Sequence, residues 1–225
     1  MNVWAIVPVK PLNRAKSRLA PVLSPELRMQ LATAMLRNTV STLTQCLGIS
    51  GIFVISRDTR ALVIAREYGA KTVQESGTPE LNAALERASR VIASWNAQAS
   101  LVLPADLPLL NPSDLNQMLE DGRYHRSAVI VPDKHEHGTN GLLLRPPGLI
   151  PYLFGNGSFR QHLEAAEAAG ATVNVCRSER LTLDLDTPDD LPLYLELCHK
   201  YHVEPLIDLS EALLMSAVAQ PENPQ

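Results

Sequence analysis

The chain has no glycine before Gly48. That absence removes the P-loop and the GxGxxG turn from the stretch where phosphate-binding folds usually carry them. Cysteine is scarce too: Cys46, Cys176 and Cys198 are far apart and form no CxxC or Cys-His metal spacing. This excludes a disulfide framework and a zinc ribbon, and reads as free thiols in a reducing compartment. There is no excess of basic charge, with 20 Lys and Arg against 24 Asp and Glu and a net charge of −4. No global field therefore favours a nucleic acid or an anionic membrane. No apolar run approaches the ~18 residues of a membrane span. The first residues lack the charged region, apolar stretch and cleavage site of a signal peptide. The expectation is a cytoplasmic protein with no nucleic-acid and no membrane partner.

What is present suits an ordinary soluble fold. Of the 225 residues, 45% are hydrophobic and 20% charged, enough to bury one core. Residues 3–7, 51–56, 71–73 and 100–104 read as short, mostly buried strands. Helical patterns over 25–46, 59–68 and 79–95 alternate with them, and a further helix starts near Asn111-Pro112. Ser24-Pro25 has the N-cap and N1 residues of a helix start. In the second half, strands over 128–132 and 141–145 flank the polar loop 133–140. A helix capped by Ser158 runs to Ala169, and residues 173–175 form another strand. The segment around Asp184 reads as a strand, followed by a helix from Pro188 to about His202. Alternating strands and helices predict an α/β fold with a mostly parallel central sheet, covered on both faces. The expected organisation is one domain over residues 1–202, then a C-terminal helix (206–219) and a frayed tail. That helix covers the core or forms a homodimer contact.

The chemistry is concentrated in a few carboxylates and cations. Asp184 and Asp186 lie in Leu183-Asp184-Leu185-Asp186-Thr187-Pro188. On a strand, residues i and i+2 face the same side. Two anions held together ask for a cation between them. Asp106 follows an expected buried strand, and α/β sheets bind ligands outside the carboxyl ends of their strands. It could equally form an Asx-turn or cap the following helix. After the first strand, Lys10, Arg14, Lys16 and Arg18 stand where such a loop normally meets phosphates. The alternative is a solvated loop.

Five segments, in this order, resemble a known family: Pro8 to Leu19, Pro104-Ala105-Asp106-Leu107-Pro108, Gly138-Thr139-Asn140, Phe154 to Phe159, and Leu183 to Pro188. The family is the guanylyltransferases of coenzyme F420 biosynthesis, which act on 2-phospho-L-lactate or phosphoenolpyruvate. The resemblance covers about residues 3–195 and not the tail from about His202. It implies a three-layer α/β/α nucleotidyltransferase fold of the glycosyltransferase-A type, GTP as donor and Mg2+ as cofactor. It implies that Asp106, Asp184 and Asp186 are metal ligands. It assigns Thr139, Gly155 and Ser158 to the phosphate of a small phosphorylated carboxylic acid. Gly155 and Gly157 would let the backbone approach, and a helix start at Ser158 would offer amides to an anion. Their alternative role is that of a turn glycine and a simple cap.

The expected reaction joins the acceptor phosphate to the α-phosphorus of GTP between two Mg2+ ions, with catalysis by Asp106, Asp184, Asp186 and Lys16. Lys10, Lys16 and Arg18 would face the triphosphate. Asn82 falls in a segment that the resemblance gives to the nucleotide, and could equally be a surface residue. The acceptor is expected to be phosphoenolpyruvate, with 2-phospho-L-lactate and 3-phospho-D-glycerate as alternatives. Another sugar-phosphate nucleotidyltransferase, or a non-catalytic nucleotide-binding module, are the rival readings. His135 and His137 read as solvent-exposed, and Trp4 and Trp95 as core. His125, His162, His199 and His202 carry no partner pattern.

Overall fold

The first strand, β1 (Val3–Val9), is apolar throughout, and its side chains point to alternate faces in the two-residue period of a pleated chain. Val3, Ala5 and Val7 turn to one face of the sheet and Ile6 to the other. The computed structural model describes residues 2–77 and 80–209. The remaining described strands are β2 (Ile49–Ser56), β3 (Lys71–Gln74), β4 (Ala99–Val102), β5 (Ser127–Pro132), β6 (Thr139–Arg145) and β7 (Thr172–Val175). They form one seven-stranded sheet in the order β3-β2-β1-β4-β6-β5-β7. Every pairing is parallel except those of β6, which runs against both β4 and β5. The loop 133–138 is too short for a crossover, so β5 and β6 must be antiparallel.

Helices cover both faces. Against Val3, Ala5 and Val7 pack α1 (Pro25–Gln45), α2 (Thr59–Glu67) and α4 (Pro112–Asp121). Against Ile6, Val102 and Ile130 pack α3 (Leu81–Ser94) and α5 (Ser158–Ala168). The expected three-layer arrangement is therefore present. A third apolar cluster joins the outer face of α1, through Leu31 and Met35, to Leu183, Leu185 and the helix Asp190–Tyr201. Between α5 and that helix lies a single helical turn, Glu179–Thr182. In chain order these are α7 and α6. Cys46 and Cys198 are buried in the core. Ser24 caps α1 by accepting the Leu27 N–H at 3.2 Å.

Several local expectations fail for identifiable reasons. The aspartate segment is no strand of the sheet. Residues 183–186 form no helix and lie outside the ladder, with Leu183 extended (φ −88°, ψ 110°), and the turn α6 before them had no sequence signal. Alternation survives without the ladder: Leu183 and Leu185 are 1% and 0% exposed, while Asp184 and Asp186 reach the surface. Ser158 does not cap α5. Gly157 takes that position in a left-handed conformation (φ 70°), and Ser158 is the first helical residue. Helix α7 begins at Asp190 rather than Pro188, because the Asp190 carboxylate folds back onto the amides before it. β4 stops at Val102, short of the predicted Pro104. Of the expected C-terminal helix, residues 206–209 are irregular, with the Leu206 N–H donated to the Tyr194 hydroxyl at 2.8 Å. Its remainder lies outside the described residues. Helix α3 begins at Leu81 rather than 79, and residues 78 and 79 are also outside them. No described helix is long and apolar enough to cross a membrane.

Candidate active site

The chain leaves β1, winds outward to β2 and β3, and returns to β4 on the other side of β1. Such a reversal opens a crevice at the carboxyl ends of the strands. A cavity of about 450 Å³ occupies it. Its wall carries Lys10 and Lys16 from the loop after β1, Asp106 from the loop after β4, and Asp184 and Asp186 from the segment after α6. Thr139, Gly155 and Ser158 line it as well. Residues far apart in sequence thus share one space. A backbone bond from Leu185 N–H to the Asp106 carbonyl (3.3 Å) holds the two acidic segments together.

Lys16 is the central cation. It is only 8% exposed and adopts a left-handed backbone (φ 57°), unusual for a residue with a side chain. Its Nζ lies 3.4 Å from Asp106 Oδ2 and 3.9 Å from Asp186 Oδ1. Arg18 is exposed and donates from Nη1 to Asp186 Oδ2 at 3.1 Å. The expected triphosphate cations therefore stand among the carboxylates, Lys16 inside the cavity and Arg18 outside its wall. Lys10 is exposed on the wall.

Charge in the cavity is not fully balanced. Burial, and then the neighbouring Asp106 carboxylate, push the Asp184 carboxyl above its usual range. The second oxygen of Asp106, Oδ1, is buried and has no hydrogen-bond partner. An orphaned carboxylate oxygen beside a second strained carboxylate fits a hard cation with oxygen ligands. Among the described residues, however, no three His, Cys, Asp or Glu side chains are already arranged to hold an ion. Lys16 stands between two of them.

The same cavity is lined by two hydroxyl residues and a glycine turn. Thr139 opens β6 and is 8% exposed; Ser158 opens α5 and is 1% exposed. The expected free amides are partly used: Ser158 N–H donates to the Gly155 carbonyl at 3.2 Å, and Phe159 N–H to that of His137 at 3.2 Å. Gly155, at φ 141°, takes a backbone shape closed to other residues. Asn82 is not on the cavity wall. Its amide is held by the backbone of Phe154, accepting from the N–H at 2.9 Å and donating to the carbonyl at 3.0 Å.

The chain matches the family model "Guanylyl transferase CofC like" over residues 3–203. It belongs to the CofC-like guanylyl transferase family. Within this family it is 47% identical over 191 residues to a phosphoenolpyruvate guanylyltransferase of Rubrobacter xylanophilus, covering 85% of this chain and 92% of that one. It is 35% identical to a 2-phospho-L-lactate guanylyltransferase of Methanothermobacter thermautotrophicus, covering 85% and 83%. Solved structures support the fold alone. A protein of the nucleotide-diphospho-sugar transferase type from Desulfovibrio desulfuricans G20 aligns with a TM-score of 0.71 at 16% identity, covering 88% of each chain. A cytidylyltransferase from Leptospira borgpetersenii aligns at 0.57 and 15%, covering 97% and 94%.

Around the motifs of the CofC-like fold, other residues hold the parts in place. Asp190, 2% exposed, accepts from Asp186 N–H at 2.9 Å, Thr187 N–H at 2.6 Å and the Thr187 hydroxyl at 2.9 Å. It also pairs with Lys134. Burial alone would push its carboxyl up; the Lys134 and Thr187 donors outweigh this and hold it below the usual range. Asn140 donates to the Leu181 and Thr182 carbonyls at 3.1 and 3.0 Å, tying β6 to the end of α6. Asn140 belongs to the Gly138-Thr139-Asn140 motif and Asp190 lies two residues beyond the aspartate motif, but their partners are visible only in the fold. His135 and His137 are exposed, as expected.

Proposed function

We propose that this CofC-like chain transfers a guanylyl group from GTP to the phosphate of phosphoenolpyruvate, with release of pyrophosphate, in the assembly of coenzyme F420. The observation that carries the reading is the cavity itself. Its lining brings acidic side chains, with the unpartnered Asp106 Oδ1, together with two hydroxyl residues and a glycine turn. The first suits a metal-bound triphosphate and the second an acceptor anion. Identity of 47% to a phosphoenolpyruvate guanylyltransferase favours that acceptor over 2-phospho-L-lactate, whose enzyme is 35% identical.

Mg2+ held by Asp106, Asp184 and Asp186 would supply charge neutralisation on the phosphates. Lys16 adds a fixed positive charge where negative charge builds on the leaving group, and Lys10 lies on the same wall. Thr139, Gly155 and Ser158 hold the acceptor phosphate so that one oxygen faces the α-phosphorus. The new P–O bond forms as the bond to the pyrophosphate oxygen breaks. A phosphate monoester is already anionic near neutral pH, so no side chain has to remove a proton. Catalysis is then positioning and electrostatics.

The test is to incubate the protein with GTP, Mg2+ and each of phosphoenolpyruvate, 2-phospho-L-lactate and 3-phospho-D-glycerate, and to follow pyrophosphate. Release with phosphoenolpyruvate well above the others is expected. GTP binding by calorimetry with no turnover in any mixture would make the chain a nucleotide-binding module instead.

A further inference from the structure

His162 projects from α5 into the core and is 0% exposed. Its Nε2 lies 2.9 Å from the backbone nitrogen of Leu153. A backbone N–H can only donate, so Nε2 must present its lone pair. In a neutral imidazole the proton then sits on Nδ1. That nitrogen lies 2.9 Å from Thr139 Oγ1. The Thr139 hydroxyl must therefore accept from the ring, which leaves its own hydrogen free to donate elsewhere. Thr139 lines the cavity wall, so that hydrogen has the cavity to point into.

We propose that His162 is a positioning residue that fixes the Thr139 hydroxyl as a donor to the acceptor phosphate and locks the Gly155 turn beside it. The inference rests on the guanylyl-transfer reading for what the hydroxyl meets. The second half of the proposal comes from the same ring. Leu153 and Phe154 lead directly into Gly155. The first is held by His162 from α5 and the second by the Asn82 amide from α3. The Phe154 ring meets the imidazole edge-on, with centroids 4.9 Å apart, and fixes its plane. One side chain thus joins strand β6 to the turn before α5, the two halves of the acceptor cradle. Burial holds the imidazole neutral down to about pH 4, so the tautomer persists through the working range.

Two measurements test this. The first is independent of activity: long-range 15N–1H correlation of the wild-type imidazole between pH 5 and 8. A protonated Nδ1 and a bare Nε2 at every pH are expected. An Nε2–H tautomer, or a charged ring at pH 6.5, overturns the proposal. The second is kinetic. Loss of a donor to a phosphate in His162→Leu should raise the KM for the acceptor about tenfold or more, with the KM for GTP within about twofold. His162→Asn, which keeps a donor near the Nδ1 position, should recover most of that loss. Thr139→Val should show the hydroxyl's share of that defect, and the double variant, which also loses the Leu153 anchor, should fall short of the sum of the two single defects. Full additivity, or an equal rise in the KM for GTP, overturns the proposal. If the wild type turns over no acceptor, the guanylyl-transfer reading fails and the tautomer measurement alone decides the hydrogen-bond assignment. If His162→Leu does not fold, His162→Asn and the tautomer measurement decide it.

Discussion

Replacing Asp190 with alanine removes the carboxylate that closes the turn after Asp184 and Asp186. The wild-type group is 2% exposed, accepts from two backbone amides and one hydroxyl, and pairs with Lys134. Deleting one partner of a buried ion pair costs about 3–5 kcal/mol, because the other charge is left unmatched. Lys134 is 23% exposed at its side chain and can reach water, which places that part near the lower figure. Two amides that lose a charged acceptor add about 1–2 kcal/mol. The expected loss is about 4 kcal/mol, a large share of the ~5–15 kcal/mol that holds a domain folded. Urea unfolding at pH 7 measures it. The pH dependence supplies an internal check. The folded carboxyl lies below its unfolded value. Its contribution is therefore complete above about pH 4 and lost as pH falls through the folded value. The gap between wild type and Asp190→Ala should narrow in that acidic window. Freed of its tether, Asp186 should also lose its fixed position, and pyrophosphate release should fall at least tenfold. A gap under about 1 kcal/mol at pH 7, or one that does not narrow in acid, would refute the reasoning.

Asp184→Asn should abolish turnover yet leave the fold intact or slightly more stable at pH 7, since it removes a charge that burial, and then the neighbouring Asp106, disfavour; near-normal activity would sink the metal assignment. His162 should make stability acid-sensitive: its folded value is about 4 against 6.5 when free. The unfolded chain takes up the proton first, so stability is full above about pH 6.5 and falls by about 3 kcal/mol by pH 4. Thermal unfolding of wild type against His162→Leu across that window should show this component only in the wild type. Asn82→Ala should release the Phe154 backbone, raise the KM for the acceptor more than that for GTP, and cost about 1–3 kcal/mol in stability; a selective effect on GTP would return Asn82 to the nucleotide.

Much of the architecture was legible because it rests on local rules. Apolar runs at 3–7 and 51–56 become buried strands, and Ser24-Pro25 starts a helix. The alternation Leu183-Asp184-Leu185-Asp186 separates core from cavity even though no ladder forms. The strand assignment failed because periodicity reports which side a residue faces and says nothing about whether a neighbouring strand is there to bond. Ser158 was misread as a cap because the glycine before it can take the left-handed cap conformation, which has no side-chain signature.

The sequence alone determined the inventory: three carboxylates, a loop of cations without glycine, a Gly-Ser turn, and a strand and helix alternation that demands a covered parallel sheet. Tertiary structure decided how the inventory is used. It set Lys16 between Asp106 and Asp186 rather than out in solvent. It gave Asp190, Asn140 and Asn82 backbone partners 3 to 72 residues away. It also turned His162, silent in the sequence, into the link between Thr139 and Leu153. The reason is physical. Residue type and period fix burial, but a hydrogen bond between distant groups depends on where the sheet and its helices bring them.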